Sequence, residues 1–273
     1  MTLIQALILG IVQGLTEFLP VSSSAHLVLV PFLLNWKLDP TQAFVFDVLV
    51  QLGTLVAVIA YFWKDLLAVL KAWTAGIRSR QPFAEAESRL GWFVILATIP
   101  AGLAGLLLKD KVEAAFSNPM LTALMLFITA ILLTLSEVLS KKTRETSELT
   151  WLDSLIIGAF QAVSIFPGIS RSGATISGGL FRGLKRQDAA RFSFLLAIPI
   201  MTAAGVLALK DLLAVPGLAS FLPVVLIGFV ASGLIGYFVI RWFLNFLKTK
   251  SLLPFALYCA LLAVAVLLIL GVR

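Results

Sequence analysis

Residues 10–26 read GIVQGLTEFLPVSSSAH, and residues 158–173 read GAFQAVSIFPGISRSG. Gly10 and Gly158, Gln13 and Gln161, Phe18 and Phe166, Ser22 and Ser170, and Ser24 and Ser172 are each 148 positions apart. Each stretch is apolar on its flanks and interrupted by a proline, Pro20 or Pro167. Between them they carry a carboxylate (Glu17), the chain's only histidine (His26) and an arginine (Arg171). Ionisable groups within hydrophobic segments are costly and usually functional. A duplicated, broken, polar hydrophobic segment points to a site near the bilayer midplane.

The surrounding chain is built for lipid. Of 273 residues, 60% are hydrophobic and 13% charged, about half the charged share of a soluble domain. The apolar residues fall in long blocks, so the class is an all-α polytopic membrane protein. The net charge of +7 sits in short loops, which fits membrane orientation and not a nucleic-acid partner. One cysteine, Cys259, excludes an intrachain disulfide and a cysteine-rich zinc site. The first thirty residues do not read as a cleavable signal. No Lys or Arg precedes Lys37, and Glu17, Pro20 and the serines interrupt the apolar core such a signal needs.

Six stretches are long enough to cross, near 43–63, 91–108, 119–139, 192–209, 219–240 and 253–271. The two polar segments differ. Their arms of about 16 and about 12–13 residues reach only about 18–24 Å at 1.5 Å per residue. That falls short of a hydrocarbon core of about 30 Å. Each is expected to be a re-entrant helical hairpin, its broken backbone buried in protein or lining a wet cavity. With the N-terminus outside, segments 64–90, 140–150, 182–191 and 241–252 face inward and carry fifteen Lys and Arg, against five outside. The positive-inside rule then sets both termini on the extracytoplasmic side. Three crossings per half invert the halves, so hairpins entering from opposite sides can meet at their tips. The expected architecture is one integral membrane domain, residues 1–273. It is an inverted-repeat bundle of six transmembrane helices plus two re-entrant hairpins, with repeats of about 1–147 and 148–273. A hexapeptide, Lys64–Val69, recurs as Lys210–Val215 at a similar offset.

Segment 64–90, with Trp63, Trp73 and Trp92 among its cations, reads as an interfacial loop carrying an amphipathic helix. Asp47 and Glu137 fall near span ends and read as interfacial. Gly10, Gly14, Gly178 and Gly179 read as sites of close helix contact, and Cys259 as filler facing lipid or core.

The polar residues suggest phosphoryl or acyl transfer. Ser23 and His26 are three apart and share a face if their arm is helical, which is a nucleophile–base spacing. Glu17 can orient the imidazole, act as a base, or hold a divalent cation. Gln13 lies one turn before it. In the second segment Ser170, Arg171, Ser172, Gly173 and Thr175 combine small residues, a helix N-terminus and a guanidinium, which together suit phosphate. Arg171 pairing structurally with Glu17, and Ser22 and Ser24 merely easing helix packing, are the plainer alternatives.

These two motifs, Gln13 to His26 and Pro167 to Thr175, resemble those of the bacterial undecaprenyl-diphosphatase family, the bacitracin-resistance proteins. The resemblance covers essentially the whole chain. It implies a fold of inverted repeats with two re-entrant helix pairs. The implied activity is hydrolysis of undecaprenyl diphosphate to the monophosphate and inorganic phosphate, which recycles the lipid carrier for cell-wall synthesis and confers bacitracin resistance. The implied location is the bacterial plasma (inner) membrane, with the active site on the extracytoplasmic side. Glu17, Ser23, His26 and Arg171 align with the family's functional residues. Gln13, Ser22, Ser24, Ser170, Ser172, Gly173 and Thr175 are the expected substrate contacts.

Many members carry a second glutamate where this chain has Gln13. A divalent cation, Mg²⁺ or Ca²⁺, would then rest on Glu17 and the substrate's phosphates. The nucleophile is Ser23 assisted by His26, or His26 itself. Expected partners are a polyprenyl diphosphate and membrane lipid, with a homodimer left open. The competing readings are a transporter of the lipid carrier, since inverted repeats with broken helices typify carriers, and a sensor or scaffold for cell-wall enzymes. The common two-histidine lipid phosphatase design does not fit a chain with one histidine.

Overall fold

The computed structural model describes residues 1–116, 118–213 and 217–272. In chain order the first half holds α1 (Leu3–Thr16), α2 (Ser23–Leu33), α3 (Pro40–Tyr61), α4 (Trp63–Arg78), α5 (Ala86–Leu107), α6 (Lys109–Phe116) and α7 (Pro119–Leu139). After a 3₁₀ turn at Thr146–Glu148 come α8 (Trp151–Val163), α9 (Arg171–Phe181), α10 (Arg186–Leu213), α11 (Leu218–Phe246) and α12 (Leu253–Val272). No strand occurs among the described residues. Six helices, α3, α5, α7, α10, α11 and α12, are long and apolar enough to cross a membrane. The chain is an all-helical multi-pass membrane protein.

Of the six, α10 and α11 run furthest past the apolar stretches expected of them. α10 begins at Arg186 and α11 continues to Phe246, because partners satisfy the polar residues there. Arg186 bonds the Glu137 carboxylate, and Gln187 Nε2 donates to the Leu244 carbonyl at 2.8 Å. The arms α1, α2, α8 and α9 have 14, 11, 13 and 11 residues. At about 1.5 Å each they span about 16–21 Å, too short to cross alone. α4 is the expected amphipathic helix, with Trp73 against Trp92 at 5.2 Å. The first copy of the repeated hexapeptide opens α4. The second continues α10, with Ala214 and Val215 outside the described residues.

The short arms exchange partners between halves: α1 packs on α11, and α8 packs on α5. Both contacts are made at glycines that share the 148-residue offset. A Cβ on Gly10 would sit 2.6 Å from the Gly228 carbonyl oxygen, and one on Gly158 would sit 2.5 Å from that of Ala97. Small residues let backbones approach closely where no hydrophobic force drives helices together. α7 packs on α12, and α3 on both α10 and α11.

At one end of the bundle, ion pairs hold the loops. Asp153, fully buried, accepts from Arg144 (2.8 Å), Arg182 (2.5 Å) and the Thr150 N–H (2.9 Å). Glu137 accepts from Lys142 and Arg186. Asp47 departs from its expected interfacial place. It is buried in α3, because α3 starts at Pro40 and carries it two turns into the bundle.

Cys259 is buried and packs against the Pro20 carbonyl. Gly168 is held at φ +102°, where its missing Cβ would lie 2.5 Å from Met125 Cβ of α7. Both the torsion and the space demand glycine. Gly168→Ala is therefore expected to lose about 2 kcal/mol or more of stability. Gly102→Ala in α5, where nothing lies within 4 Å, should be neutral. Thermal unfolding of the two purified variants in one detergent checks this, and equal melting temperatures would contradict it.

Candidate active site

The two breaks meet. α1 stops at Glu17, and the chain turns through Phe18–Val21 with Val21 N–H on the Leu19 carbonyl at 2.8 Å. Ser22, at φ +67°, then caps α2. In the second segment the chain leaves α8 at Ser164 and turns at Pro167–Gly168, and Ser170 caps α9 through the Gly173 amide at 3.0 Å. Thr129 of α7 pins this turn. Its hydroxyl donates to the Gly168 carbonyl and accepts from the Ser170 N–H, both at 2.9 Å.

Three bonds join the breaks directly. Gly168 N–H donates to Ser22 Oγ at 3.2 Å, Ser172 Oγ to the Leu19 carbonyl at 2.9 Å, and Arg171 Nη2 to Glu17 Oε1 at 2.6 Å. Ser22 and Ser170 also behave alike, each with its hydroxyl beside that of the serine two places on, at 3.1 and 3.2 Å.

Glu17 is the hub. Its Oε2 accepts from Gln13 Nε2 at 2.7 Å and from Ser23 Oγ at 2.6 Å, while Oε1 takes Arg171. The Glu17 and Arg171 side chains are 5% and 15% exposed. Burying such a pair is repaid only when further hydrogen bonds satisfy it. Gln13 and Ser23 supply them for Glu17, and the Ser193 carbonyl, at 3.4 Å, accepts from Arg171 Nη1.

A cavity of roughly 270 Å³ opens on this cluster, walled by Glu17, Ser22, Ser23, Ser24, Ser170 and Arg171 among apolar side chains. A second cavity, roughly 320 Å³, shares Phe44, Val48 and Ile200 with it and continues past Leu106 and Leu207 along α3, α5 and α10. A polar head site thus runs into an apolar groove.

Several expected site residues lie elsewhere. His26 is absent from the cavity wall, and Ser23 does not bond it. Its Nδ1 faces the Ser22 carbonyl at 2.8 Å and its Nε2 faces Tyr258 Oη at 2.7 Å, with the rings parallel. The reason is local. Ser23 opens α2, and helical side chains lean toward the N-terminus, so its hydroxyl reaches back to Glu17. The imidazole is drawn to α12 instead. Thr175 donates to the Arg171 carbonyl at 2.8 Å and meets Ser193 Oγ at 2.6 Å, beneath the site. Gly173 N–H is taken by the Ser170 cap, Ser172 by Leu19, and Gln13 stands behind Glu17.

Gln51, Gln161 and Ser164 are polar wall residues outside the expected set, and Gln161 stands out among them. Its amide nitrogen and oxygen are both buried without a hydrogen-bond partner, yet it lines the cavity. Buried polar groups are nearly always bonded, so Gln161 has a donor and an acceptor free for whatever occupies the cavity. The available signal was its offset from Gln13. Thr129 and Tyr258 carry no signal near either motif.

Among the described residues the donor set does not by itself make a resident cation site. Glu17 is the only carboxylate among the described residues of the wall, and both its oxygens already accept hydrogen bonds. Among the described residues no three His, Cys, Asp or Glu gather. What the cluster offers is a hydroxyl on a carboxylate acceptor beside a guanidinium, the parts of a nucleophile, a base and a phosphate clamp.

A family model described as "Bacitracin resistance protein BacA" matches residues 6–265. The chain belongs to the BacA family. Among its relatives are proteins named undecaprenyl-diphosphatase from Myxococcus xanthus, 43% identical over 99% of this chain and 90% of the relative, and from Mycolicibacterium smegmatis, 42% identical over 99% and 98%. One from Chlorobium phaeobacteroides is 43% identical over 98% and 96%. The BacA match spans both breaks, and with them every residue of the hub.

Tight coupling within the buried hub means that Arg171→Ala alone should cost about 3 kcal/mol, because it strands a buried carboxylate. Adding Glu17→Gln should restore part of that. Unfolding of the two single variants and the double variant measures the coupling, and strict additivity would contradict the pairing.

Proposed function

We propose that this protein hydrolyses undecaprenyl diphosphate to undecaprenyl phosphate and inorganic phosphate. The lipid carrier is thereby returned to cell-wall synthesis, and bacitracin is deprived of the diphosphate it binds. The observation that carries this is the 2.6 Å bond from Ser23 Oγ to Glu17 Oε2, beside Arg171, at the head of an apolar groove. The names of the relatives agree with it. The diphosphate occupies the polar end while the prenyl chain lies along α3, α5 and α10.

In this mechanism an arriving phosphate competes for Arg171, whose planar guanidinium binds phosphate oxygens through two donors. Losing the cation frees Glu17 Oε1, while Oε2 stays on the Ser23 hydroxyl. Ser23 Oγ attacks the terminal phosphorus and its proton passes to Glu17 Oε2. An Oγ–P bond forms, the bridging P–O bond breaks, and undecaprenyl phosphate departs with the proton. Water then attacks the phosphoserine. Its proton returns through Glu17 to Ser23 Oγ, and inorganic phosphate leaves.

Ser23 is preferred to His26 as nucleophile because His26 lies off the wall, bonded to Tyr258. His26 instead orients the Ser22 carbonyl and hence the start of α2. Gln161 donates its unpaired amide to the phosphates. A divalent cation, Mg²⁺ or Ca²⁺, would enter on the substrate's own oxygens and offset their charge there.

The two hairpins are re-entrant and belong to inverted repeats, a reading supported by short arms and by the exchange of α1 and α8 between halves. The cation-rich loops then face the cytoplasm of a bacterial plasma membrane, with both termini and the groove's polar end on the other side. One chain supplies both breaks, so a monomer suffices. Transport of the carrier is the weaker reading, since a carrier has no use for a hydroxyl held on a carboxylate.

Purified protein in detergent, which has no second compartment, is expected to release phosphate from undecaprenyl diphosphate. Ser23→Ala should lower turnover at least about 10³-fold. Near-normal turnover in that variant would sink the mechanism. Gln161→Leu should raise KM about tenfold or more while kcat changes less, the loss of one charge-assisted hydrogen bond. An unchanged KM would remove Gln161 from the site.

A further inference from the structure

The largest described cavity, roughly 1110 Å³, is not the catalytic one. It lies at the other ends of the same helices. α3 gives Val48 to the catalytic cavity and Tyr61 to this one, about 20 Å along the helix. α10 gives Met201 to the first and Arg191 to the second.

The walls of this hollow are strongly cationic. Lys64, Arg191, Arg241 and Lys248 line it against one carboxylate, Asp65. Asp65 is already engaged by Arg191 at 2.9 Å, whose guanidinium also stands 6.0 Å from the Phe62 ring centre. Among the described residues Lys64, Arg241 and Lys248 have no ion-pair partner. Membrane orientation explains cations scattered over loops, but it does not require them to converge from α4, α10, α11 and the turn after α11 on one concave wall.

The rim supplies a second, separate observation. Trp63, Tyr237 and Trp242 line the hollow and are 55%, 39% and 52% exposed. Trp and Tyr at the ends of spanning helices sit at the level of lipid headgroups. Phe238, also on the wall, and Leu234 one turn away continue the exposed apolar face of α11 toward the membrane interior. Basic pockets between helix ends, open sideways to lipid, are suited to anionic headgroups.

We propose that this hollow binds the phosphodiester headgroup of an anionic phospholipid. Arg241 and Lys248 hold the phosphate, and the acyl chains run along Phe238 and Leu234. A soluble anion would use the cations and leave the exposed apolar wall idle. None of these residues belongs to the catalytic cluster, so the proposal is independent of the reaction assigned there.

The test uses the full-length purified protein, titrated in detergent with phosphatidylglycerol or phosphatidylcholine and read by native mass spectrometry. The wild type should retain one phosphatidylglycerol under activation that strips phosphatidylcholine. Arg241→Gln/Lys248→Gln should bind phosphatidylglycerol about thirtyfold more weakly, at about five- to sixfold per cation removed. An unchanged melting temperature without lipid verifies that the variant is folded. Replacing Arg241 and Lys248 separately gives a second pair of variants should the double variant unfold. Equal retention of the two lipids by the wild type, or full retention by the variants, overturns the proposal. Displacement of phosphatidylglycerol by excess inorganic phosphate also overturns it, since the hollow would then be a site for free anions.

Discussion

A carboxylate and a guanidinium inside a hydrophobic bundle are tolerable only together. The Glu17–Arg171 pair, 154 residues apart in sequence and 2.6 Å apart in space, is the constraint to which the rest of the bundle answers. Satisfying it requires two chain breaks at the same depth, and each break exposes backbone groups that lipid cannot satisfy. Ser22 and Ser170 cap the helices that follow. Thr129 binds the second turn from α7, and the Gly168 amide and the Leu19 carbonyl are satisfied across the interface. The close glycine contacts of α1 with α11 and α8 with α5 bring the short arms near enough for this to happen.

The pair that makes the bundle tolerable also restrains its chemistry. Arg171 holds one oxygen of Glu17 while the other faces Ser23. In the proposed mechanism a phosphate that draws the guanidinium away would both bind and free the carboxylate beside Ser23, so charge compensation at rest and reactivity with substrate would come from one exchange of partners. The apolar groove continuing from the cluster suits a ligand that is charged at one end only.

Much of this is legible in the sequence. The six spans, the two proline breaks and the offset linking Ser22 to Ser170 are local patterns set by hydrophobic length and helix capping. The direct pairing of Glu17 with Arg171 is the plainer of the two readings the sequence leaves open, and the structure shows it. What the sequence hides depends on distant partners. The orientation of His26 is decided by Tyr258, 232 residues away, so helical spacing with Ser23 misleads. Gln161 looks like any polar residue in an apolar arm until its surroundings prove to hold no partner. Hydropathy alone draws the ends of α10 and α11 short, while Glu137 and Leu244 satisfy the polar groups that continue the helices. It also starts α3 too late, which sets Asp47 at the interface and not in the bundle.

The arrangement at Glu17 is open to a single decisive measurement. Undecaprenyl diphosphate labelled on its terminal phosphate would be turned over by the purified protein, quenched rapidly at neutral pH, and the label located by fragmentation of peptides. Phosphate on Ser23 is expected. Phosphate on His26, or none on the protein during steady turnover, would contradict a Ser23 nucleophile activated by Glu17.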